Sequence, residues 1–417
     1  MSGTKFQNLE LMAPAGSWES LTAALKAGAD SVYFGVEALN MRAHSAGKFT
    51  LGDLGEIASR CRDAGVHSYL AVNTIIYDDD LALMRKICDS AREAGISAVI
   101  ASDVAVMDYC ARIGEAVHLS TQVNVTNVEA LKFYARFADV VVLARELNLE
   151  QVAHIHRAVE RECICGPSGQ EVRLEMFCHG ALCMAVSGKC FLSLDNLNHS
   201  ANRGECMQVC RRAYTVRDKE TGVELDIDRQ YIMSPKDLKT IGFVNRMAEA
   251  GVRVYKIEGR ARSAEYVATV TQAYKEALQA LADGTYTPER IREWDERLAR
   301  VFNRGFWDGY YLGRRLGEWS EVYGSQATER KEYIGKGIKH YARLGVGEFL
   351  VEAGEFRPGD KLLIIGPTTG AIYVEPTDIH GDHGPVEVAR KGMRVAIRVP
   401  EKIRPSDKLY KIVRPAP

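Results

Sequence analysis

Short apolar runs alternate with amphipathic stretches through roughly the first 280 residues. Runs of strand length stand at 9–13, 31–35, 68–72, 98–102, 117–121, 140–144, 172–177 and 253–258. Between them, 17–27, 52–64, 79–94, 103–114, 127–136, 149–159 and 264–282 read as helices, several with apolar residues at i, i+3/i+4 and i+7. Gly28, Gly65 and Gly95 stand where three of these would stop, and Asp53 and Asp79 where two would start. Strands separated by helices pair in parallel, because a crossover helix joins parallel neighbours. Eight such units predict an α/β fold, a TIM-barrel-like (β/α)8 domain over 1–282. The length fits a closed barrel, and no glycine-rich dinucleotide loop follows the first strand.

One connection breaks the rhythm. From Cys178 to about Arg229, after the seventh strand, the chain loses periodicity and is rich in Cys, Asn, Ser and Gly. Loops that long inside a compact domain are usually functional, and in a barrel this one lies at the C-terminal face, where active sites are built. After 282 the character changes. Residues 285–302 (TYTPERIREWDERLARVF) read as a charged helix with a threonine cap and an early proline, and 303–313 as a Gly/aromatic turn, making 283–330 a helical linker. From 331 to 417, strand-like runs (EFLVEAG, DKLLIIG, AIYVEP, VEVAR, RVAIRV, KLYKIV) separated by Pro-Gly, Gly-Asp and Gly-Pro turns predict a small antiparallel β-barrel.

Composition adds three constraints. Hydrophobic residues at 46% with no run approaching a membrane span predict a soluble protein. The start, MSGTKFQNLE, has no apolar signal core, so the expected compartment is the cytoplasm, where the ten cysteines would not pair as disulfides. A net charge of −1 argues against a uniformly basic nucleic-acid binder, yet 386–417 carries nine basic residues against three acidic ones. Arg390, Lys391, Arg394, Arg398, Lys402, Arg404, Lys408, Lys411 and Arg414 give that barrel an electrostatic footprint suited to a phosphate backbone.

The cysteines divide. Cys61, Cys88 and Cys110 fall on helical apolar stripes and read as core. Cys178, Cys183, Cys190, Cys206 and Cys210 crowd into 33 positions. Thiolates at 183, 190, 206 and 210 can converge on one metal centre once the loop folds back. Four sulfurs suit tetrahedral zinc or an iron–sulfur cluster. Only Cys206 and Cys210 form the tight pair that zinc fingers favour, so the pattern leans towards iron–sulfur. The radical SAM motif CxxxCxxC is absent, and Cys163, Cys165 and Cys178 read as spare thiols. Neither HExxH nor GxSxG occurs.

Several stretches carry a resemblance. Glu175-Met-Phe-Cys-His-Gly-Ala-Leu-Cys183 with Gly188-Lys-Cys-Phe-Leu-Ser193, LMAPAGSWESLTAALKAGADSVYFG (11–35), SPKDL (234–238), IEGRARSAEYV (257–267) and NRGFWDGYYLG (303–313) resemble the collagenase-like peptidase family of unassigned catalytic type, in its order and nearly along the whole chain. Members have been called proteases, while others are oxygen-independent RNA or quinone hydroxylases with a [4Fe–4S] cluster on four cysteines. The chain is most similar to the branch that hydroxylates the wobble uridine of tRNA with prephenate as cosubstrate. The resemblance implies Cys183, Cys190, Cys206 and Cys210 as the cluster ligands, tRNA as the partner, and prephenate beside the cluster. A quinone hydroxylase would lack 331–417. A peptidase using Cys178 and His179, and a zinc-stabilised RNA-binding module, are the rival readings.

Polar residues on strands or just after them fill in the expected site: Glu10, Arg42, Asn73, Gln122, Arg145, Glu175, His179, Lys256, Glu258 and Arg260. Arg42, Arg145 and Arg260 suit bidentate clamping of a dicarboxylate such as prephenate, with Asn73, Gln122 and Lys256 as further substrate contacts. Glu175 and Glu258 are the candidate catalytic carboxylates. His179, beside the cysteine loop, is the candidate general acid/base, because imidazole changes charge near neutral pH.

Overall fold

In the computed structural model, which describes residues 6, 8–43, 49–212, 214, 216–225, 233–314, 317–320 and 324–415, eight parallel strands close into a barrel. They run Glu10–Pro14, Ser31–Phe34, His67–Val72, Ala98–Ala101, Val117–Leu119, Val140–Val142, Arg173–Gly180 and Val252–Ile257. Each pairs with the next, and the eighth pairs with both the first and the seventh, which closes the ring. The predicted α/β barrel is therefore present, strand for strand. The helices fall as the periodicity predicted: Trp18–Lys26, Leu54–Asp63, Leu81–Ala94, Val104–Ile113, Val128–Ala135, Leu149–Glu162 and Ala264–Ala282. Cys61, Cys88 and Cys110 are buried between these helices and the strands.

Two layers of core follow from strand alternation. Side chains facing the helices form the large core, while Met12, Tyr33, Tyr69, Ala98, Ile100, Val140 and Val254 pack inside the barrel. The interior also holds charge. At the N-terminal end of the first strand Glu10 accepts from Ser31 Oγ (2.7 Å), Tyr69 Oη (2.9 Å) and Arg173 Nη1 (2.7 Å). Higher up, Glu175 Oε1 accepts from Lys256 Nζ at 2.7 Å, the carboxylate side chain being 0% and the lysine 6% exposed.

The seventh strand carries an extra pairing. Asp237–Lys239 runs antiparallel to its end, with Leu238 opposite Gly180 and Lys239 opposite His179, and Phe306–Trp307 pairs alongside in turn. Within 283–330, Thr287 caps helix Pro288–Arg300 by accepting from Arg290 N (3.5 Å), and Trp294, Leu298, Trp307 and Tyr311 pack into the barrel's own core.

The C-terminal sheet is antiparallel, as expected. Its spine is Arg330–Tyr341, paired on one side with Val346–Val351 and on the other with Lys408–Val413. Leu362–Gly366, Gly370–Val374 and Arg394–Arg398 extend it. The run VEVAR forms only the two-residue strand Ala389–Arg390, paired with Glu355–Phe356. The sheet docks on the barrel through Leu363 and Ile365 against Ala23 and Ala264. Thr22 Oγ1 donates to Pro367 O (2.6 Å) and Lys331 Nζ to Glu265 Oε1 (2.6 Å) across the same contact.

Leaving one partner of the buried Glu175–Lys256 pair uncompensated costs about 3–5 kcal/mol, whereas an apolar pair of similar volume need not. Lys256→Met should therefore lower unfolding stability by roughly that amount, and Glu175→Leu added to it should recover most of the loss. Urea denaturation of the wild type, both single variants and the double variant checks this.

Candidate functional site

At the C-terminal ends of the strands a cavity of about 150 Å³ is bounded below by the barrel and above by the cysteine loop. Chain connectivity accounts for the lining: residues just after a parallel strand lie at this face. Arg42 follows the second strand, Asn73 the third, Gln122 the fifth, Arg145 the sixth, and Glu258 and Arg260 the eighth, and all of them line the cavity with Lys256. So do Cys183, Cys190, Cys206 and Cys210. Eleven of the fourteen expected site residues meet in one place.

The three exceptions are Glu10, Glu175 and His179. Glu175 lies inside the barrel behind Lys256, its Oε2 without a hydrogen-bond partner. Burial pushes its carboxyl up and Lys256 opposes this. The expectation for His179 as acid/base is corrected by its position. The side chain is buried among Tyr266, Tyr274 and Phe306, with Nδ1 3.4 Å from Tyr274 Oη. Burial, helped by Lys239 and Arg262, pulls its pKa down to about 3, so it stays neutral near physiological pH. The strand pairing is irregular here, Lys256 facing Phe177 while Ile257 faces His179. That irregularity displaces both Cys178 and His179 from the regular alternation. Cys178 is buried, its Sγ donating to Lys256 O (3.4 Å), and burial raises its thiol well above the usual range. Glu10 sits at the opposite end of the barrel, as do the exposed Cys163 and Cys165, which lie between the sixth helix and the seventh strand.

The floor of the cavity is cationic over aromatic rings. Arg145 lies 4.0 Å from the centre of the Phe177 ring and donates to Ala181 O (3.1 Å). Lys256 Nζ is 4.6 Å and Arg260 5.6 Å from the Tyr33 ring centre. The Nε groups of Arg145 and Arg260 are buried without a hydrogen-bond partner, which marks both as donors with capacity to spare. Among the described residues Glu258 is the one lining carboxylate, accepting from Arg42 Nη2 at 2.9 Å. Burial pushes its carboxyl up, but Arg42, Arg145 and Arg260 outweigh this and hold its pKa at about 2.

The sequence reading missed Tyr33, Phe177 and Arg211. The first two sit in apolar strand runs and read as core. Arg211 follows the last loop cysteine and staples the loop down, donating to Leu182 O (2.5 Å), Ser234 Oγ (2.9 Å) and Pro235 O (3.0 Å). Its position directly after Cys210 was the available signal.

Cys183, Cys190, Cys206 and Cys210 are the candidate donors for a four-sulfur metal group. Among the described residues no three His, Cys, Asp or Glu side chains stand at metal-holding separation. The donor set nevertheless matches in type and number, because all four thiols border one cavity. They also sense one another: burial and then Cys183 and Cys206 raise Cys190, and burial together with Cys183, Cys206 and Cys190 raises Cys210 against the pull of Arg211.

A closed parallel barrel with a polar, cysteine-bordered cavity at its C-terminal face is the build of an enzyme. The chain belongs to Peptidase family U32, whose sequence profile matches residues 16–321. It is similar to a protein named Collagenase from Porphyromonas gingivalis, 64% identical over 404 residues, 97% of this chain and 98% of the other. It is 29% identical over 412 residues to tRNA hydroxylation protein P1 of Bacillus subtilis, covering 96% and 94% of the two chains. The 23S rRNA 5-hydroxycytidine C2501 synthase of Escherichia coli is 34% identical over 317 residues, 74% of this chain and 46% of that one. Among the described residues no helix is long and apolar enough to cross a membrane.

A carboxylate whose folded pKa is depressed contributes stability that is present above its unfolded pKa of about 4.5 and is lost as pH falls through the folded value of about 2. The stability gap between wild type and Glu258→Gln should therefore be full at pH 6 and shrink between roughly pH 4.5 and 2. Urea midpoints for both proteins across that range provide the check, and a gap that widens on acidification contradicts the assignment.

Proposed function

We propose that the protein is an oxygen-independent tRNA hydroxylase that carries a [4Fe–4S] cluster and forms 5-hydroxyuridine at the wobble position with prephenate as cosubstrate. The observation that carries the reading is the convergence of four loop cysteines and a cationic floor on one cavity. The relatives named for tRNA and rRNA hydroxylation support the RNA class.

Cys183, Cys190, Cys206 and Cys210 would hold the cluster. When bound, it would supply redox chemistry to the site. The chain's own groups do the rest. Arg145 and Arg260, with unpartnered buried Nε groups, suit the two carboxylates of the cosubstrate. Glu258 stays ionised and orients Arg42 beside them. Lys256 brings a third cationic head to the floor. The cysteine loop borders the cavity above that assembly. On the C-terminal sheet, eight of the nine basic residues of 386–417 are exposed, and Lys411 pairs with Asp360 at 2.7 Å. Exposed cations of that density suit the tRNA backbone. The base would leave its stack to reach the cavity, as in other enzymes that modify bases.

The 64% identity to a protein named Collagenase keeps a second reading in view, proteolysis. The thiol–imidazole pair it would need is not assembled: Cys178 bonds a main-chain oxygen and His179 lies against Tyr274.

Deletion of the gene should abolish the 5-hydroxyuridine derivatives of tRNA, read by nucleoside mass spectrometry, in a host without a redundant pathway. Unchanged derivatives sink the proposal. Each single Cys→Ala change at 183, 190, 206 or 210 should lower iron and sulfide content after anaerobic purification, whereas Cys178→Ala should not. Gelatin cleavage by the purified wild type that is lost in Cys178→Ala would favour the peptidase instead.

A further inference from the structure

Beside the cysteine-lined cavity lies a second hollow of about 300 Å³. Met41, Ile75 and Phe191 form its apolar walls, and Gln122, Lys189 and Asn202 its polar ones. Phe191 is 70% exposed, a large ring held in water at the rim. Such a ring is a stacking platform for a planar base. Gln122 borders both hollows and so stands on the partition between them.

The orientation of the Gln122 carboxamide is set by a chain of hydrogen bonds that begins at the backbone. The Met41 N–H can only donate, and it does so to Asn73 Oδ1 at 3.2 Å. The Asn73 amide nitrogen is thereby committed as a donor, to Ser120 Oγ (3.1 Å) and to Gln122 Oε1 (3.1 Å). Ser120 Oγ donates to Gln122 Oε1 as well. The Gln122 oxygen is doubly engaged, and among the described residues its NH2 group has no partner. Gly188 of the cysteine loop passes close over the glutamine stem, where a Cβ would stand 2.8 Å from Gln122 Cγ. Asn124 Nδ2 donates to both Gln122 O (2.7 Å) and Ser187 O (3.2 Å), tying the two segments together.

With its oxygen engaged, Gln122 has N–H donors and no free acceptor to offer at the boundary it forms between the cavity and the hollow. Uracil carries an acceptor at its 4-position and cytosine an amino donor. A donor facing a donor leaves both unpaired, which is how a rigid polar site rejects the wrong ligand. We propose that the outer hollow seats the target pyrimidine of the RNA and that Gln122, locked by the Met41–Asn73 relay, selects the 4-carbonyl of uracil against the 4-amino group of cytosine. The inference rests on the RNA-hydroxylase reading and adds to it the residue that reads the base.

Fluorescence anisotropy with the full-length, anaerobically purified protein tests this on two anticodon stem-loop RNAs that differ only in U or C at the wobble position. The wild type should prefer the U form by roughly tenfold, the scale of one unpaired buried polar group. In Asn73→Asp the carboxylate still accepts from Met41 N–H but cannot donate to Gln122. The glutamine must then turn its NH2 towards residue 73 and its oxygen to the base, so the preference should reverse to the C form. Gln122→Glu, whose carboxylate accepts from Asn73 and Ser120 and offers no donor, should likewise lose the U preference, and it serves if the first variant does not fold. A merely structural role for either residue weakens both RNAs alike and reverses nothing. Wild-type binding of both RNAs with equal affinity, or a U preference that survives both substitutions, overturns the Gln122 assignment while leaving the RNA reading intact. No binding of either RNA by the wild type overturns the RNA reading and this inference together.

Discussion

The buried ion pair between Glu175 and Lys256 is the constraint around which the barrel interior is arranged. It joins the seventh and eighth strands, the pair whose hydrogen bonding closes the ring. A carboxylate with no solvent exposure is sustained only by a partner as close as the 2.7 Å lysine. That partner is also the floor of the cavity, so the charge needed for closure is shared with the charge offered to a ligand. Tyr33 and Phe177 stand beneath the same cations, giving Lys256, Arg260 and Arg145 an aromatic face in place of lost water. The result is a cationic basin in which, among the described residues, the lining carboxylate Glu258 is already paired with Arg42.

Above this basin the cysteine loop is irregular but not loose. Ile75 N donates to Asn202 O at 3.1 Å, and Arg203 pairs with Asp80, which pins the loop to the connection after the third strand. Gly204 permits the closest approach: with φ at +88°, a Cβ there would stand 2.4 Å from Asn40 O. Arg211 ties the other end to Ser234 and Pro235. The thiols are thus set around the cavity rim by contacts that do not involve sulfur, so the cavity outline is a property of the polypeptide.

Apolar periodicity made the barrel legible because each of its strands is buried on both faces and each helix on one. The elements it did not reveal lack that signature. Arg330–Tyr341 is the longest strand, yet exposed and half-buried residues dominate it and Gly335 and Gly337 interrupt it, so no two-residue alternation emerges. Asp237–Lys239 is too short to show a period. The site was legible to the extent that position after a strand dictates position at the mouth, which placed Arg42, Asn73, Gln122, Arg145, Glu258 and Arg260 correctly. It failed at His179, because nearness in sequence to the cysteine loop says nothing about an irregularity in the strand that carries it. Tyr33 and Phe177 were unreadable for the opposite reason, since a ring that carries cations looks in sequence like a ring that fills a core.

The recurrent motifs outside the loop have a different task. Asp237 of SPKDL faces Arg262 at 3.8 Å and Arg304 at 3.4 Å, which come from IEGRAR and NRGFW. Both guanidinium groups lie over the Phe302 ring, at 3.7 and 5.1 Å. Three distant segments are thereby bolted to the end of the seventh strand, where the cysteine loop departs. A family built this way can keep its frame while the chemistry at the mouth varies, so the motifs that identify the family do not choose between its catalytic types. That choice falls to the loop and the cavity. On the proposed reading, a basin of about 150 Å³ is too small for a macromolecule but wide enough for a compact anion, and a neighbouring hollow of about 300 Å³ has room for one base. The rest of a large substrate must then be gripped elsewhere, and the basic C-terminal sheet, docked on Thr22 and Ala23 of the first barrel helix and on Ala264 and Glu265 at the start of the last, is the surface whose charge suits that task.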